Sequence, residues 1–386
     1  MRVGLVGWRG MVGSVLRERM QEEGDFEGLE VTYFTTSQVG EEGPVPGTEL
    51  HDAHDLERLA RHDVVITCQG GDYTEAVYRP LRETGWDGYW IDAASTLRLD
   101  PDAVVVLDPV NAEVIDAALE RGVRTLVGGN CTVSLLLMAV APLLRRGWVE
   151  WISTMTYQAA SGAGAAAMRE LAEQIRRLGA GFEAPLSAAD ASPLDLDAVT
   201  AKLQRGGLPC DELGAPLAGN LLPWIDRAMP GGQTREEWKA QVECHRILDL
   251  ERPVPIDGVC VRVGTMRCHA QALTIKLHEA VELEEIEAVL GSAHPWAEVV
   301  PNTREATLER LHPAAVTGTL QVPVGRLRTM LQGSEYLAAY TVGDQLLWGA
   351  AEPLRRALAI LRRRAGAGGS AASPAAELAP SGSAAP

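Results

Sequence analysis

The sequence is poor in positive charge: its 386 residues carry 35 Lys and Arg against 52 Asp and Glu, a net charge of −17 at pH 7. Without surplus cations to displace phosphate counterions, sequence-independent binding to nucleic acid is not expected. A local Arg/Lys pocket for a small anion survives such a total. Cysteine is also scarce. Six thiols, at positions 68, 131, 210, 244, 260 and 268, with no Cys-x-x-Cys, do not make a disulfide scaffold, so the chain reads as cytoplasmic with reduced thiols. Long apolar runs are missing too. Leu135–Leu144 supplies only about half of the roughly 20 residues that span a bilayer, and a strand-like segment begins at residue 2 with no charged leader. Neither a membrane protein nor a secreted one is expected.

What remains is ordinary globular material, 46% hydrophobic and 23% charged, of a length that suits about two domains. In the first third, short β-rich runs (Arg2–Val6, Val31–Thr35, Asp63–Thr67, Tyr89–Asp92, Val104–Leu107, Thr125–Gly128) alternate with helical stretches such as Ser14–Glu23. That alternation predicts βαβ units and a mostly parallel sheet. Beyond about residue 150 the texture changes. Trp151–Tyr157, Val316–Val322 and Tyr336–Thr341 read as strands, and Val259–Leu277 as a strand pair or one bent strand. Ala165–Leu178, Leu283–Leu290 and Asp344–Arg364 read as helices. The fold expected is α/β: a Rossmann-type NADP-binding domain over 1–130 with 344–364, and an α+β catalytic and dimerisation domain with a mixed sheet over 131–343. Residues 365–386, rich in Ala, Gly, Ser and Pro, read as a disordered tail.

Gly7, Gly10 and Gly13 fall between the first strand and the first helix. Glycines there let the backbone turn tightly and bring exposed N–H groups against a pyrophosphate. The second strand runs into Phe34-Thr-Thr-Ser-Gln38, with hydroxyls where an NAD site would carry an acid. Arg9 reaches the same place, and this combination suits the 2′-phosphate of NADP.

Gly128-Gly-Asn-Cys-Thr132 precedes an apolar helix, which puts Cys131 at a helix N-terminus at the ligand-binding end of the sheet. That setting lowers a thiol pKa and marks a nucleophile. Of eight histidines, His51, His54, His62, His278, His294 and His312 read as solvated. His245 beside Cys244 lacks further ligands for zinc, so no metal is expected. His269 stands apart: alternation places Arg267, His269 and Gln271 on one strand face, as a cleft wall.

These residues, together with Tyr-Gln-Ala-Ala-Ser-Gly at 157–162, Arg-Glu-Glu-Trp-Lys at 235–239 and Val-Gly-Asp-Gln-Leu-Leu-Trp-Gly-Ala-Ala-Glu-Pro from 342, strongly resemble the aspartate-β-semialdehyde dehydrogenases, in order over residues 1–363. The resemblance implies NADPH-dependent, reversible reductive dephosphorylation of L-4-aspartyl phosphate to the semialdehyde, in lysine (diaminopimelate), threonine, methionine and isoleucine biosynthesis. It implies Cys131 as the acyl-accepting nucleophile, His269 as general acid/base and Gln158 as the residue positioning the acyl group. Arg262 would pair with the substrate carboxylate, Glu236 with its ammonium, and Arg98 and Lys239 with phosphate. Gly7, Arg9, Gly10, Met11, Val12, Gly13, Thr36, Ser37, Gln69, Ser161, Gly162, Ala163, Gly164, Ala165 and Gln345 would serve the cofactor. The family's Gly/Arg-rich loop is here Gly-Ala-Gly-Ala-Ala-Ala, and Ala189 stands where a cofactor-contacting proline is expected. Read without the resemblance, Glu236 and Lys239 are an exposed i, i+3 pair. The nearest rivals are an N-acetyl-glutamyl-phosphate reductase or another phosphorylating aldehyde dehydrogenase, for which Glu236 would have no ammonium to meet. A non-catalytic cofactor-binding sensor is a third reading, disfavoured by Cys131, Gln158 and His269 occurring together. The apolar strand material of the second domain predicts a homodimer.

Overall fold

The computed structural model describes residues 1–190 and 192–367. Two seven-stranded sheets organise them. The first comprises β1 (Arg2–Val6), β2 (Glu30–Thr35), β3 (His51–Asp52), β4 (Val64–Thr67), β5 (Tyr89–Asp92), β6 (Ala103–Val106) and β7 (Thr125–Gly128). Their order is β3-β2-β1-β4-β5-β7-β6, and every pairing is parallel. Val64–Thr67 and Ala103–Val106 are buried at every position, as strands covered on both faces must be. Helices α1 (Met11–Glu22), α2 (Leu56–Leu59), α3 (Gly71–Glu83) and α4 (Asp108–Glu120) make the crossovers. Because β1 pairs with β2 on one side and β4 on the other, the carboxyl ends of β1 and β4 open a crevice at a topological switch point.

From β7 the chain enters α5 (Cys131–Arg145), buried without interruption from Thr132 to Ala141. A helix apolar all round belongs at the centre of a molecule. One hydrophobic cluster runs from Phe34 and Trp90 through Leu136 to Leu273 and Leu337, so the two sheets share a core. The second sheet comprises β8 (Val149–Gln158), β9 (Leu221–Leu222), β10 (Ile256–Val263), β11 (Cys268–Leu277), β12 (Ala297–Val299), β13 (Val322–Met330) and β14 (Gly333–Asp344). It is mixed, in the order β12-β13-β14-β11-β8-β10-β9, with β8–β10 and β12–β13 parallel and the rest antiparallel. Around it lie α6 (Ala165–Ser187), α7 (Pro193–Gln204), α8 (Arg235–Leu248), α9 (Leu283–Gly291), α10 (Arg304–Arg310) and α11 (Pro313–Val316). Helix α12 (Glu352–Ala367) returns to pack on β5, β6 and β7. A parallel α/β half joined to a mixed-sheet half is the fold class expected from the sequence.

Several local expectations are corrected. Val316–Val322 is not a strand: α11 ends at Val316, a turn follows, and the strand begins at Val322. The terminal helix starts at Glu352 rather than Asp344, after β14 and a π turn over Leu347–Ala351. Helix α1 begins three residues before Ser14, at Met11, and α6 extends past Leu178 to Ser187. The tail expected over 365–386 loses residues 365–367 to α12, and the remainder lies outside the described residues. His62 and His294 are packed rather than solvated. His62 Nδ1 sits 3.0 Å from the Arg58 carbonyl with its ring against Phe34, and His294 Nε2 sits 2.8 Å from the Met138 carbonyl. Among the described residues, no helix is long and apolar enough to cross a membrane and no His/Cys/Asp/Glu cluster could hold a metal.

Candidate active site

Between β7 and α5 the chain must turn within two residues. A Cβ on Gly129 would sit 2.8 Å from Ser134 Oγ, so a side chain in this turn would have to displace that hydroxyl. Asn130 then caps the helix, its Oδ1 accepting the N–H groups of Thr132 (3.0 Å) and Val133 (3.1 Å). Cys131 is the first helical residue and is partly exposed in a cleft. Gly349, in the π turn, packs so closely on it that a Cβ there would lie 2.6 Å from Cys131 Cβ. The thiol does not have the lowered pKa its helix terminus suggests. Burial pushes it up to about 12, Glu236 adds to the rise, and Arg262, Arg98 and Lys239 oppose it. A helix terminus is worth about 1 kcal/mol or less at most sites, too little to reverse that.

His269, on β11, is fully buried. Its Nδ1 accepts the Ala159 N–H at 3.0 Å, so the neutral ring carries its proton on Nε2. Nε2 has no partner among the described residues. Burial, with Arg262 beside it, lowers the ring to about 3, against a rise from Glu236. Arg262 Nη1 donates to the Ala159 carbonyl at 2.7 Å, so one residue just past the end of β8 holds both side chains through its N–H and its C=O. Gly162 borders both: a Cβ there would stand 2.8 Å from Arg262 Nη1 and 3.1 Å from His269 Nε2. Gln271 shares the buried face with His269, but Arg267 does not. The strand starts only at Cys268, and Arg267 pairs with Asp344 at 2.6 Å.

Helix α8 supplies the ionic wall. Glu236 and Lys239 are not the exposed pair that their spacing alone suggests. Glu236 is 5% exposed and accepts from Asn130 Nδ2 (3.0 Å), Gln158 Nε2 (3.4 Å) and Lys239 Nζ (3.0 Å). Burial pushes its carboxyl up, but Lys239 and Asn130 outweigh that and hold it below the ordinary range. Lys239 also meets Asp226 at 3.0 Å. Burial pulls the ammonium down, yet the two carboxylates leave it raised. Arg98 donates to the Gly128 carbonyl (2.7 Å), the Ala93 carbonyl (3.3 Å) and Glu243 (3.2 Å). Cys131, Gln158, Arg98, Glu236, Lys239 and Arg262 all face one cavity of about 550 Å³, which Met11, Val12, Ser161–Gly164 and Gln345 close from the other side.

A second cavity of about 460 Å³ holds Gly7, Arg9, Gly10, Thr36, Ser37 and Gln69. Arg9 Nη2 donates to Thr35 Oγ1 (3.1 Å) and Ser37 Oγ (3.3 Å), and Gln69 Nε2 to Thr36 Oγ1 (3.5 Å). Gly7 adopts φ +72°, and a Cβ there would meet the Gln69 amide nitrogen at 2.6 Å. A cradle of backbone with a guanidinium, hydroxyls and no carboxylate at the end of β2 fits a dinucleotide bearing a 2′-phosphate. Gly13, Ala165 and His269 line neither cavity, although His269 Nε2 borders Gly162, which does. Gly13 seats α1 against the turn that follows β1, where a Cβ would lie 2.3 Å from the Gly7 carbonyl oxygen. Sequence reasoning missed Asp226, which has no local signal and holds φ +69°. It also missed Glu243, whose signal was its seven-residue spacing from Glu236 on one helical face.

Known proteins resemble this chain over most of its length. A profile described as "Semialdehyde dehydrogenase, NAD binding domain" matches residues 2–118, and "Semialdehyde dehydrogenase, dimerisation domain" matches residues 140–348. The solved aspartate semialdehyde dehydrogenase from Francisella tularensis is 46% identical, over 94% of this chain and 100% of that one, with a TM-score of 0.89. Aspartate semialdehyde dehydrogenase II from Vibrio cholerae is 25% identical over 94% of this chain and 98% of that one, at a TM-score of 0.76. The thiol, the ionic wall and the glycine turn thus sit on a chain that belongs to the aspartate-semialdehyde dehydrogenase family of oxidoreductases.

Proposed function

We propose that this chain interconverts L-4-aspartyl phosphate and L-aspartate 4-semialdehyde with NADP as cofactor and inorganic phosphate as co-product. The observation that carries the reading is the single cavity in which a helix-starting thiol, two cations, an arginine and a buried carboxylate converge beside the glycine turn. The cations Arg98 and Lys239 suit a phosphate group, the Arg262 fork suits a carboxylate, and Glu236 suits a free ammonium. An N-acetylated substrate has no ammonium for Glu236 to meet.

In the reductive direction Cys131 Sγ bonds to the acyl carbon, the carbon–oxygen bond to phosphate breaks, and the thiol proton ends on the departing phosphate oxygen. A thioester is a better hydride acceptor than a carboxylate. Arg9–Val12, Thr36, Ser37, Gln69, Ser161–Gly164 and Gln345 would hold NADPH, which would supply the hydride. His269 presents Nε2–H as a neutral donor to the acyl oxygen as charge gathers there. Acting as a base would require the proton on Nδ1, against the Ala159 N–H. Cleavage of the carbon–sulfur bond releases the aldehyde, and the sulfur regains a proton from solvent. The same reading includes a homodimer formed through the second sheet and, from six free thiols, residence in a reducing cytoplasm.

The test is NADPH formation from L-aspartate 4-semialdehyde and NADP with and without inorganic phosphate, with Cys131→Ala as control. Phosphate-dependent turnover that the control loses, while it still binds NADP, is expected. Turnover with N-acetyl-glutamate semialdehyde instead would overturn the substrate assignment.

A further inference from the structure

Helix α8 carries a third acidic residue in line with Glu236. Glu243 follows it by seven residues, two turns along the same face, and is only 3% exposed. Its carboxylate does two things at once. Oε2 accepts the backbone N–H of Asn130 at 2.7 Å, and Oε1 accepts from Arg98 Nη1 at 3.2 Å. One buried side chain thereby ties the cap of the Cys131 helix to the guanidinium read above as a phosphate ligand. A buried ion pair is often no more stable than apolar residues of the same volume, so stability alone does not account for it. Geometry does. A guanidinium has five N–H donors, and Arg98 spends one each on Glu243, Gly128 and Ala93. Among the described residues that leaves one N–H on each terminal nitrogen, a fork for two oxygens of one anion.

We propose that Glu243 is a positioning residue for the reaction, setting the orientation of Arg98 toward phosphate while anchoring the Asn130 cap. This rests on the reading of Arg98 as a phosphate ligand. Glu243→Gln keeps the size but has one acceptor oxygen, and its NH2 group must face a donor. Glu243→Asp keeps the charge but is too short to reach both partners, and it serves if the amide variant does not fold.

In steady-state assays of the full chain, either variant is expected to raise the KM for inorganic phosphate, by about tenfold for Gln. The KM values for NADP and semialdehyde should stay within about twofold. In an Arg98→Ala background, Glu243→Gln should add no further rise, because its effect passes through Arg98. A phosphate KM unchanged or lowered in both variants overturns the proposal. So does a uniform change in all three KM values with a fall in melting temperature, the mark of a merely structural role. If Arg98→Ala itself leaves the phosphate KM unchanged, the phosphate reading of Arg98 falls along with the proposal. If Arg98→Ala raises it and the Glu243 variants do not, only the role of Glu243 falls.

Discussion

His269 is buried in its neutral form, and the cost of that neutrality is measurable. The unfolded chain protonates a histidine near 6.5, whereas the folded chain holds His269 down to about 3. Between those values the unfolded state binds more protons, so this residue makes stability fall as pH drops from about 6.5 toward 3. His269→Gln removes that contribution. Its melting temperature is expected to drop less than that of the unaltered chain between about pH 7 and pH 5; equal drops would contradict a buried neutral ring. The chemical kind of each candidate residue was legible in the sequence, but its ionisation was not. Cys131 starts a helix, as expected, yet its pKa is set by burial and by Glu236, a residue distant in sequence. Glu236 and Lys239 looked like a solvated pair because spacing along a helix does not reveal which face is covered.

Secondary structure was legible wherever pattern and propensity agreed. The runs Arg2–Val6, Tyr89–Asp92 and Thr125–Gly128 fold as read, because β-branched, aromatic and other apolar residues dominate them, with Gly4 a single interruption and Gly128 at a strand end. Strand β13 hid itself: it contains Pro323 and Gly325, and its register with β14 shifts between Gly325 and Arg328, so its alternation is broken. The apolar run after Asp344 passes for the start of a helix, though the chain is still leaving β14 and needs a π turn to change direction. The contact between α1 and the turn after β1 leaves no room for a side chain at Gly13. In Gly13→Ala the new carbon would press on the Gly7 carbonyl and on Trp8 Cα, both backbone, which cannot yield as a side chain would. A loss of about 3 kcal/mol and weaker NADP binding are expected, read by denaturant unfolding and cofactor titration. An unchanged midpoint would refute the tight seating.

At the scale of the whole molecule, the two ends of the described chain are bolted together. Arg355 on α12 meets Glu352 (2.9 Å) and Asp25 (2.8 Å), and Arg19 on α1 reaches the same Glu352 at 3.2 Å. Removing one partner from such a buried cluster strands the others. Arg355→Met is expected to cost about 3–5 kcal/mol in unfolding free energy, with kcat of the folded protein unchanged; a thermal melt matching the unaltered protein would show the cluster to be idle. The outward face of the second sheet leaves Met155 and Val259 more than a third exposed beside Trp151. The proposed homodimer covers this face, so sedimentation is expected to give twice 41.4 kDa, and a monomer at micromolar concentration would refute it. The close seat of Gly349 on Cys131 also bears on biosynthesis. During translation the nucleophile and the glycine turn emerge long before the segment that walls them in. A nascent chain stopped after Gly343 lacks the Gly349 seat on Cys131 and the Gln345 wall of the cavity, and turnover is expected only once Gln345–Ala351 has been made.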